Sequence, residues 1–494
     1  MGLNSSKRSP RSYDIAPIVS DKEFRYKKAT KALPDVAVPQ VIIAPEADED
    51  SQPENEKNVR EVVNSDKRTT NISIPTWIHM STFHELLQRI ESEFLEIISF
   101  QVQPALAPGE NYSTLMLKIK ITIKLKDKST KKLSFMMKVA HDNNEMKELL
   151  QIKNFFDVEN EVYHNVIPEL EQMYHQAGSE VTFGAIVYEL HDAEPSSNYV
   201  LLEDLSLRGY KNVNRLQCLD MEHTKAVLRK LATFHAASVC RVYRKGPYSE
   251  TFSPNLENPK GREFISQMFS SFKKSFMENL KLYDDGEKYH DNMSKFFDNV
   301  VDEFTLGRRP NPAYFNVLNH GDAWCNNILF KHNADGHVED VLFVDFQNSN
   351  YGSVAQDLFY FIISSTQKDI KVEQFHYFIR YYHQHLDENL RLLGYPIEKI
   401  PSLCELHRQL IHYGSWATIT SFLTMGIVLL DPTDKAKFEN FIGEQKEHLE
   451  FKNTIYSNPR YVEHMNEVLP WLYHRGFMET RDCSNDGKDL PTRD

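Results

Sequence analysis

The sequence lacks the features that mark several protein classes. Its five cysteines are scattered over 494 residues without C-x-x-C spacing, so neither a zinc site nor a disulfide framework is expected. The net charge of −13 leaves no excess of Lys and Arg for a nucleic-acid backbone, although a local pocket for a nucleotide remains compatible with it. The N-terminus has no apolar stretch, so we expect no secretory signal and a reduced, cytoplasmic setting.

Long apolar runs are also scarce, with one exception. Residues 414–430 (GSWATITSFLTMGIVLL) carry no charge, and their length lies at the short limit for a helix that crosses a bilayer. The run contains several Ser, Thr and Gly residues, which favours a buried helix of a large helical lobe over the alternative of a membrane span.

Residues 1–70 differ in composition from the rest of the chain. They are rich in Ser, Pro and charged residues and show no apolar periodicity, which predicts a disordered extension; residues 481–494 predict a flexible tail. The first six residues match the pattern M-G-x-x-x-[ST], which makes Gly2 a candidate for N-myristoylation. A single myristoyl chain binds membranes only marginally, so at most a weak membrane association through the N-terminus is expected.

The sequence beyond residue 72 predicts a sheet followed by helices. Its clearest signal is at 115–125, where apolar residues alternate with Lys and Thr as in a strand with one buried face. The predicted elements are, in order, a helix over 83–94, strands over 115–125 and 132–140, a helix over 145–165, strands near 182–190 and 199–203, and helices beyond about 206, interrupted by a β-rich insert at 317–346.

The segment VLNHGDAWCNNILF, residues 317–330, has the spacing of a phosphoryl-transfer loop. In Asp-x-x-x-x-Asn, Asp322 would accept the proton of an attacking hydroxyl and Asn327 would bind Mg²⁺. Asp345 follows a short apolar strand, where a kinase holds its second metal-binding carboxylate. Taken singly, a hydrogen-bonded turn at His320 and Asp322 and a hairpin cap at Asp345 explain these residues equally well. Their joint order and spacing favour the catalytic interpretation.

Candidates for holding ATP lie upstream of this loop. Lys138, late in the second predicted strand, is the candidate phosphate-binding lysine, although a solvated strand lysine would explain it when taken alone. Glu159 and Glu161 lie in the following predicted helix. They point to different helical faces, so only one of them can pair with Lys138.

Two further segments are candidates for contacting the nucleotide. Gly109, Glu110 and Asn111 precede the first predicted strand, where a phosphate-covering loop belongs, although this loop has one glycine in place of G-x-G-x-x-G. The backbone at Glu203 to Leu205, at the junction between the sheet and the helices, would pair with adenine.

Together these segments resemble the insect ecdysteroid-kinase-like group, also described as the CHK kinase-like domain, within the aminoglycoside phosphotransferase and choline kinase superfamily. The matching segments are His320 to Asn327 (HGDxWxxN), Val344 to Gln347 (VDFQ), Pro108 to Tyr112 (GENY), Leu202 to Leu205 (hinge), and Phe156 to Tyr163 (F-x-x-E-x-x-x-Y). The last of these favours Glu159 over Glu161. By resemblance, Asp357 is an acidic residue that braces the catalytic loop, and His320 supports it.

The resemblance covers about residues 72–480 and implies an α+β, bilobal, protein-kinase-like fold. A small β-rich N-lobe (72–203) and a large, mainly helical C-lobe (206–480) would hold ATP between them. The implied reaction is Mg²⁺-dependent transfer of the γ-phosphoryl group of ATP to a hydroxyl group of a small molecule, such as an ecdysteroid or a xenobiotic.

Two other functions are alternatives to this one. A catalytically inactive pseudokinase, acting as a nucleotide-binding or membrane-tethered protein, would be expected to carry degraded motifs, whereas the motif residues are all present here. A kinase for protein side chains is disfavoured because Gln347 replaces the glycine of D-F-G and no A-P-E segment follows. Trp324 and residues 359–361 are aromatic candidates for an acceptor pocket, but aromatic residues at helical spacing are typical of a core, so none is assigned.

Overall fold

The computed structural model describes five stretches of the chain: residues 74–105, 114–140, 155–192, 198–253 and 259–480. Four predictions lie wholly or partly outside these residues: the extension over 1–70, the loop at 107–112, residues 145–154 of a predicted helix, and the tail over 481–494. The other predicted elements can be compared with the structure directly.

An antiparallel sheet forms the first part of the structure. Its strands are β1 (Phe94–Pro104), β2 (Thr114–Leu125), β3 (Thr130–Ala140), β4 (Val187–Tyr188) and β5 (Tyr199–Glu203), in the spatial order β1-β2-β3-β5-β4. β2 and β3 pair along their length, with Met116 opposite Lys138. The strands predicted at 115–125, 132–140 and 199–203 are therefore confirmed.

The structure corrects two of the predicted elements in this part. The helix predicted over 83–94 ends earlier, as α1 (His84–Ile90), and β1 follows it where no strand was predicted. β1 lies at the edge of the sheet with Phe94 as its only buried residue, so its sequence lacks the alternation that identifies β2. The strand predicted near 182–190 is reduced to the two residues of β4.

The two faces of the sheet have different surroundings. Leu117 and Ile119 of β2 are buried in one hydrophobic cluster with Leu86 of α1. Because successive side chains of a strand alternate, Met116 and Lys138 lie on the opposite face, where they line a cavity. The apolar alternation of β2 thus leaves Lys118 of β2 and Lys138 of β3 on the face toward the cavity.

From residue 155 onward the described chain is helical, and the helix extends past its predicted end at residue 165. α2 (Phe155–Glu161) continues through a π-helical turn at Val162–Val166 into α3 (Ile167–Gln176). The buried face of α2 carries Glu159 beside apolar side chains.

The second part of the structure is mainly helical, so the predicted α+β architecture is confirmed. Its helices are α4 (Met221–Lys245), α5 (Pro259–Asn279), α6 (His290–Arg308), α7 (Ala355–Ser365), α8 (Lys368–Lys371), α9 (Phe375–Leu392), α10 (Leu403–His412), α11 (Ser415–Phe422), α12 (Thr424–Leu429), α13 (Phe438–Ile442), α14 (Lys446–Tyr456) and α15 (Pro459–Tyr473).

The uncharged run at 414–430 forms α11 and α12, and every residue of α11 is buried. Ile419 and Phe422 belong to the main hydrophobic core of the helical part. The prediction that this run is buried and helical is confirmed, and the run forms two helices in place of one. Among the described residues, no helix combines the length and the apolar character needed to cross a bilayer.

Two small antiparallel sheets interrupt the helices. β6 (Asn316–Asn319) pairs with β9 (Asn350–Ser353), and β7 (Ile328–His332) pairs with β8 (Val338–Phe343). The predicted β-rich insert is confirmed and extends to Ser353. The segments that leave β6 and β8 carry the two motifs singled out in the sequence, so these sheets set the positions of both.

Candidate active site

A buried ion pair links β3 to α2. Nζ of Lys138 lies 2.6 Å from Oε2 of Glu159, and the two residues are 4% and 1% exposed. Charged groups buried this deeply persist only when they are paired. Burial acts to lower the pKa of Lys138, but the carboxylates of Asp345 and Glu159 outweigh it, and the net shift is upward. Of the two glutamates, the structure places Glu159, and not Glu161, against the lysine.

Asp345 follows β8 and faces the same lysine. Its Oδ1 lies 2.6 Å from Nζ of Lys138. The backbone of Asp345 is left-handed, with φ of 68° and ψ of 61°, a conformation that costs a non-glycine residue about 1 kcal/mol or more. Strain of this kind is concentrated at functional sites, where the surrounding structure holds it in place.

The loop after β6 holds Asp322 by both carboxylate oxygens. Oδ1 accepts a hydrogen bond from the hydroxyl of Tyr360, and Oδ2 accepts one of 3.1 Å from Nδ2 of Asn327. Burial and the charge of Asp345 raise the pKa of Asp322, and the bond from Tyr360 opposes them. A carboxylate with a raised pKa and a fixed orientation is suited to accepting a proton near neutral pH.

Asn327 and Asp345 offer a set of donors that fits Mg²⁺. The N–H of Val344 donates to the backbone oxygen of Asn327 at 3.0 Å, which ties the two segments together. Because Nδ2 of Asn327 is engaged by Asp322, its Oδ1 is left as an acceptor to which no described residue donates. Amide and carboxylate oxygens are the hard ligands that Mg²⁺ prefers.

A complete metal cage is not present among the described residues, where no group of three or more His, Cys, Asp and Glu side chains could hold a metal ion. Protein sites usually bind Mg²⁺ through one or two side chains together with water and the phosphates of the substrate.

Asp357, in the first turn of α7, fixes the backbone of the loop after β6. Its carboxylate accepts hydrogen bonds from the N–H groups of His320 (2.6 Å) and Gly321 (2.9 Å) and from Nε2 of His235 (3.1 Å). Burial acts to raise the pKa of Asp357, but the hydrogen bond and charge of His235 outweigh it and the net shift is downward. The carboxylate therefore stays ionised, and the loop stays attached to α7.

His320 and Gly321 fix the loop in two further ways. Nδ1 of His320 accepts a bond from the N–H of Asp322 (3.2 Å), so its Nε2 carries the hydrogen and donates to the backbone oxygen of Val344 (3.1 Å). Burial lowers the pKa of His320, which favours this neutral form. Gly321 has φ of +79°, and a Cβ there would lie 2.2 Å from the backbone oxygen of Asn348, so the position requires glycine.

A cavity of about 490 Å³ extends from Lys138, Asp322 and Asp345 to the hinge. This volume suits a small-molecule ligand. Charged side chains of the site line the cavity together with apolar residues; the apolar lining includes Met116, Met136, Ala185, Leu202, Leu205 and Val344. The N–H of Glu203 already donates to the oxygen of Ile186 (2.8 Å), whereas the N–H of Leu205 has no partner among the described residues. Leu205 is therefore a hinge residue whose N–H remains available as a donor.

The side chain of Asp204, which was not assigned from the sequence, anchors the hinge. Asp204 is 5% exposed, and its Oδ2 lies 2.7 Å from both Nζ of Lys118 on β2 and Oγ of Ser134 on β3. Its Oδ1 accepts hydrogen bonds from the N–H and hydroxyl of Ser206. One carboxylate thus joins two strands of the sheet to the hinge.

Two more residues near Asp322 were not assigned from the sequence. Tyr360 follows Asp357 by three residues on α7, and the D-x-x-Y spacing was a usable signal because residues three apart share a helical face. Arg308, at the end of α6, is 8% exposed and donates to the backbone oxygen of Asn348 at 3.2 Å. Burial lowers the pKa of Arg308 to about 10, against the charges of Tyr360, Asp322 and Asp357. No local pattern in the sequence marks it.

The remaining candidates separate into three groups. Phe359 and Phe361 are part of the hydrophobic core, whereas Trp324 lines the cavity. Gly109, Glu110 and Asn111 lie outside the described residues, as does Gly2.

Comparison with known proteins agrees with this geometry. The model of the ecdysteroid kinase-like family matches residues 108–395, more than half of the chain, and the match spans every residue from Lys138 to Asp357 discussed above. Among curated proteins, none matches the chain significantly. By the extent of the family match, the chain belongs to the ecdysteroid kinase-like family.

Proposed function

We propose that this protein is a small-molecule kinase that transfers the γ-phosphoryl group of ATP to a hydroxyl group in the presence of Mg²⁺. One observation carries the proposal: Lys138 bonds to Glu159 and to Asp345, 207 residues away, and these three residues line one cavity with Asp322, which in turn accepts a hydrogen bond from Asn327. Membership of the ecdysteroid kinase-like family supports the reaction class.

Asp322 is the proposed base. The acceptor hydroxyl would donate its hydrogen to Asp322 as its oxygen attacks the γ-phosphorus, and the bond from phosphorus to the bridging oxygen of ADP would break. Tyr360, Asn327 and the side chain of Asn348 occupy three of the roughly four lone-pair sites of the carboxylate, so one site remains for the acceptor hydroxyl. Fixing the carboxylate before the acceptor arrives lowers the cost of orienting it in the reaction.

The remaining residues would neutralise and position the nucleotide. Lys138, oriented by Glu159, would contact the phosphates that are not transferred, and Asn327 and Asp345 would hold Mg²⁺, whose charge offsets that of the phosphates. At the other end of ATP, the N–H of Leu205 and the backbone of Glu203 would pair with adenine, and Gly109 to Asn111 would cover the phosphates.

The acceptor is proposed to be a small molecule with a hydroxyl group, an ecdysteroid-like compound or a xenobiotic. Transfer of label from γ-labelled ATP by the full chain, with Mg²⁺ and a panel of hydroxylated sterols and alkaloids, tests this. We expect a labelled small molecule with the wild type and at least about 100-fold less label with Asp322→Asn in the same time. Mg²⁺-dependent binding of ATP with no transfer to any acceptor would favour the inactive nucleotide-binding alternative, and the absence of ATP binding would contradict both.

We also propose a cytoplasmic protein with weak membrane association through acylated Gly2. The support is the M-G-x-x-x-[ST] pattern with Lys7, Arg8 and Arg11 close behind it. Incorporation of a myristate analogue in cells by the wild type, and its loss in Gly2→Ala, is the expected result. Equal labelling of both chains, or labelling of neither, would contradict it.

A further inference from the structure

Gln347 stands where protein kinases carry the glycine of D-F-G, and it is buried in the site. The residue is 7% exposed, lines the same cavity as Lys138, and lies two positions after Asp345 in the 3₁₀ turn Phe346–Asn348. Its Oε1 lies 3.2 Å from Nζ of Lys138, and its Nε2 lies 3.4 Å from Oδ2 of Asp345. One amide therefore bridges the cation and the carboxylate.

The partners fix the orientation of this amide. The ammonium group of Lys138 has donors only, so it must face the amide oxygen, and an ionised carboxylate has acceptors only, so it must face the NH₂ group. An amide satisfies both partners from one planar group, whereas a glutamate would set a second carboxylate against Asp345 and a glycine would contact neither.

Lys138 has three N–H donors, and the structure provides an acceptor for each. They are Oε2 of Glu159, Oδ1 of Asp345 and Oε1 of Gln347. If one donor were transferred from Asp345 to a phosphate oxygen, the other two would still hold the lysine. Asp345 would then keep its contact with Gln347 through Oδ2, while Oδ1 became free.

From these contacts we infer that Gln347 is a positioning residue. It fixes the side chains of Lys138 and Asp345 relative to each other, and it thereby makes Oδ1 of Asp345 available to Mg²⁺. The inference rests on the proposed function and adds to it the residue through which metal and nucleotide binding are coupled. Without the amide, Lys138 and Asp345 keep only their direct ion pair, so Mg²⁺ must compete with the lysine for the carboxylate.

Two substitutions test the inference through binding rather than turnover. Gln347→Met keeps the length of the side chain and removes both hydrogen bonds. We expect the Mg²⁺ concentration that half-saturates tight ATP binding to rise about 10-fold, since one hydrogen bond to a charged group typically contributes a factor of this order or more. Gln347→Glu adds a carboxylate, a ligand that Mg²⁺ prefers, beside Asp345. In this variant the half-saturating Mg²⁺ concentration should therefore fall below the wild-type value.

Opposite shifts separate positioning from a structural role, because loss of folding would weaken binding in both variants. The matched control is Gln409→Met. Gln409 is 1% exposed, and its Nε2 donates to the backbone oxygen of Phe315 and to Oγ of Ser353, away from the cavity. This variant should keep the wild-type dependence on Mg²⁺.

The experiment is calorimetric titration of the full-length variants with ATP at a series of Mg²⁺ concentrations, with melting temperatures measured on the same samples. A wild-type Mg²⁺ dependence in Gln347→Met, or shifts of the same sign in both Gln347 variants, would overturn the inference and leave the proposed kinase intact. A wild type whose ATP binding does not depend on Mg²⁺ would overturn the proposed function itself, and the inference with it.

Discussion

The hydroxyl of Tyr360 donates a hydrogen bond to Oδ1 of Asp322 from a position three residues after Asp357, whose carboxylate binds the N–H groups of His320 and Gly321. One turn of α7 therefore fixes both the proposed base and the loop that carries it. Together with Asn327, which donates to Oδ2, these residues set the orientation of Asp322 within the helical part of the protein.

Removing the hydroxyl of Tyr360 tests this arrangement. In Tyr360→Phe we expect kcat to fall about 10- to 100-fold, because a hydrogen bond to a charged group typically contributes about 1.5–3 kcal/mol. KM for ATP should be unchanged, since Tyr360 does not line the cavity. Steady-state kinetics measure both values. Tyr283→Phe, which removes a buried hydroxyl bonded to the backbone oxygen of Tyr456, is the control; an equal loss in both variants would contradict a role for Tyr360 at Asp322.

Asp357 should matter for stability as well as activity. Asp357→Asn replaces a buried anion that accepts three hydrogen bonds, so we expect the free energy of unfolding to fall by about 3 kcal/mol. Urea denaturation measures this change. Asp298→Asn removes an exposed ion pair with Lys273, which contributes little, and should stay close to the wild type. Similar denaturation midpoints for all three chains would show that the loop does not depend on Asp357.

The lowered pKa of Asp357 predicts that the stability of the protein depends on pH. His235, His320 and Arg308 face Asp357, and the pKa of Asp357 is lowered in the folded state. An aspartate whose pKa is lower in the folded than in the unfolded protein stabilises the fold. This contribution is complete above the pKa of the unfolded state, about 3.9, and is lost as the pH falls through the pKa of the folded state. The difference in unfolding free energy between the wild type and Asp357→Asn should therefore narrow only below about pH 4. Narrowing between pH 7 and pH 5 would assign the effect to a histidine instead.

Gly321 and Gly336 make a matched pair for testing how closely the loop after β6 approaches the turn that contains Asn348. Both have positive φ, +79° and +86°, but a Cβ at Gly321 meets the backbone oxygen of Asn348 at 2.2 Å, whereas one at Gly336 has open space. Gly336→Ala should lose about 1 kcal/mol through backbone strain. Gly321→Ala should lose more than that and also lose activity, measured by denaturation and phosphoryl transfer. Equal losses of stability and activity in the two variants would mean that the loop at Gly321 can move away from Asn348 without a cost in free energy.

The sequence predicted the residues whose signal is local. The alternation in β2 identified the sheet and placed Lys138 on β3, and the spacing of Asp322, Asn327 and Asp345 identified the candidate site before any contact was known. β1 was missed because an edge strand with one buried residue has no clean alternation.

The contacts that complete the site could not be read in the same way. Gln347 was noted as a departure from D-F-G, but its contact with Lys138 spans 209 residues. Tyr360 lies among aromatic residues whose spacing is typical of a core, and its bond to Asp322 spans 38 residues. Such pairings depend on how separate elements pack, which periodicity along one element does not encode.

The most direct test of the central claim is the rate of phosphoryl transfer by Asp322→Asn compared with Asp340→Asn. Asp340 is also a half-buried aspartate, paired with Lys230 and Tyr210 away from the catalytic loop. With an acceptor that the wild type phosphorylates, we predict that Asp322→Asn lowers kcat by about 10²- to 10⁴-fold with ATP binding preserved, and that Asp340→Asn changes kcat little. Wild-type turnover in Asp322→Asn would contradict the assignment of Asp322 as the base.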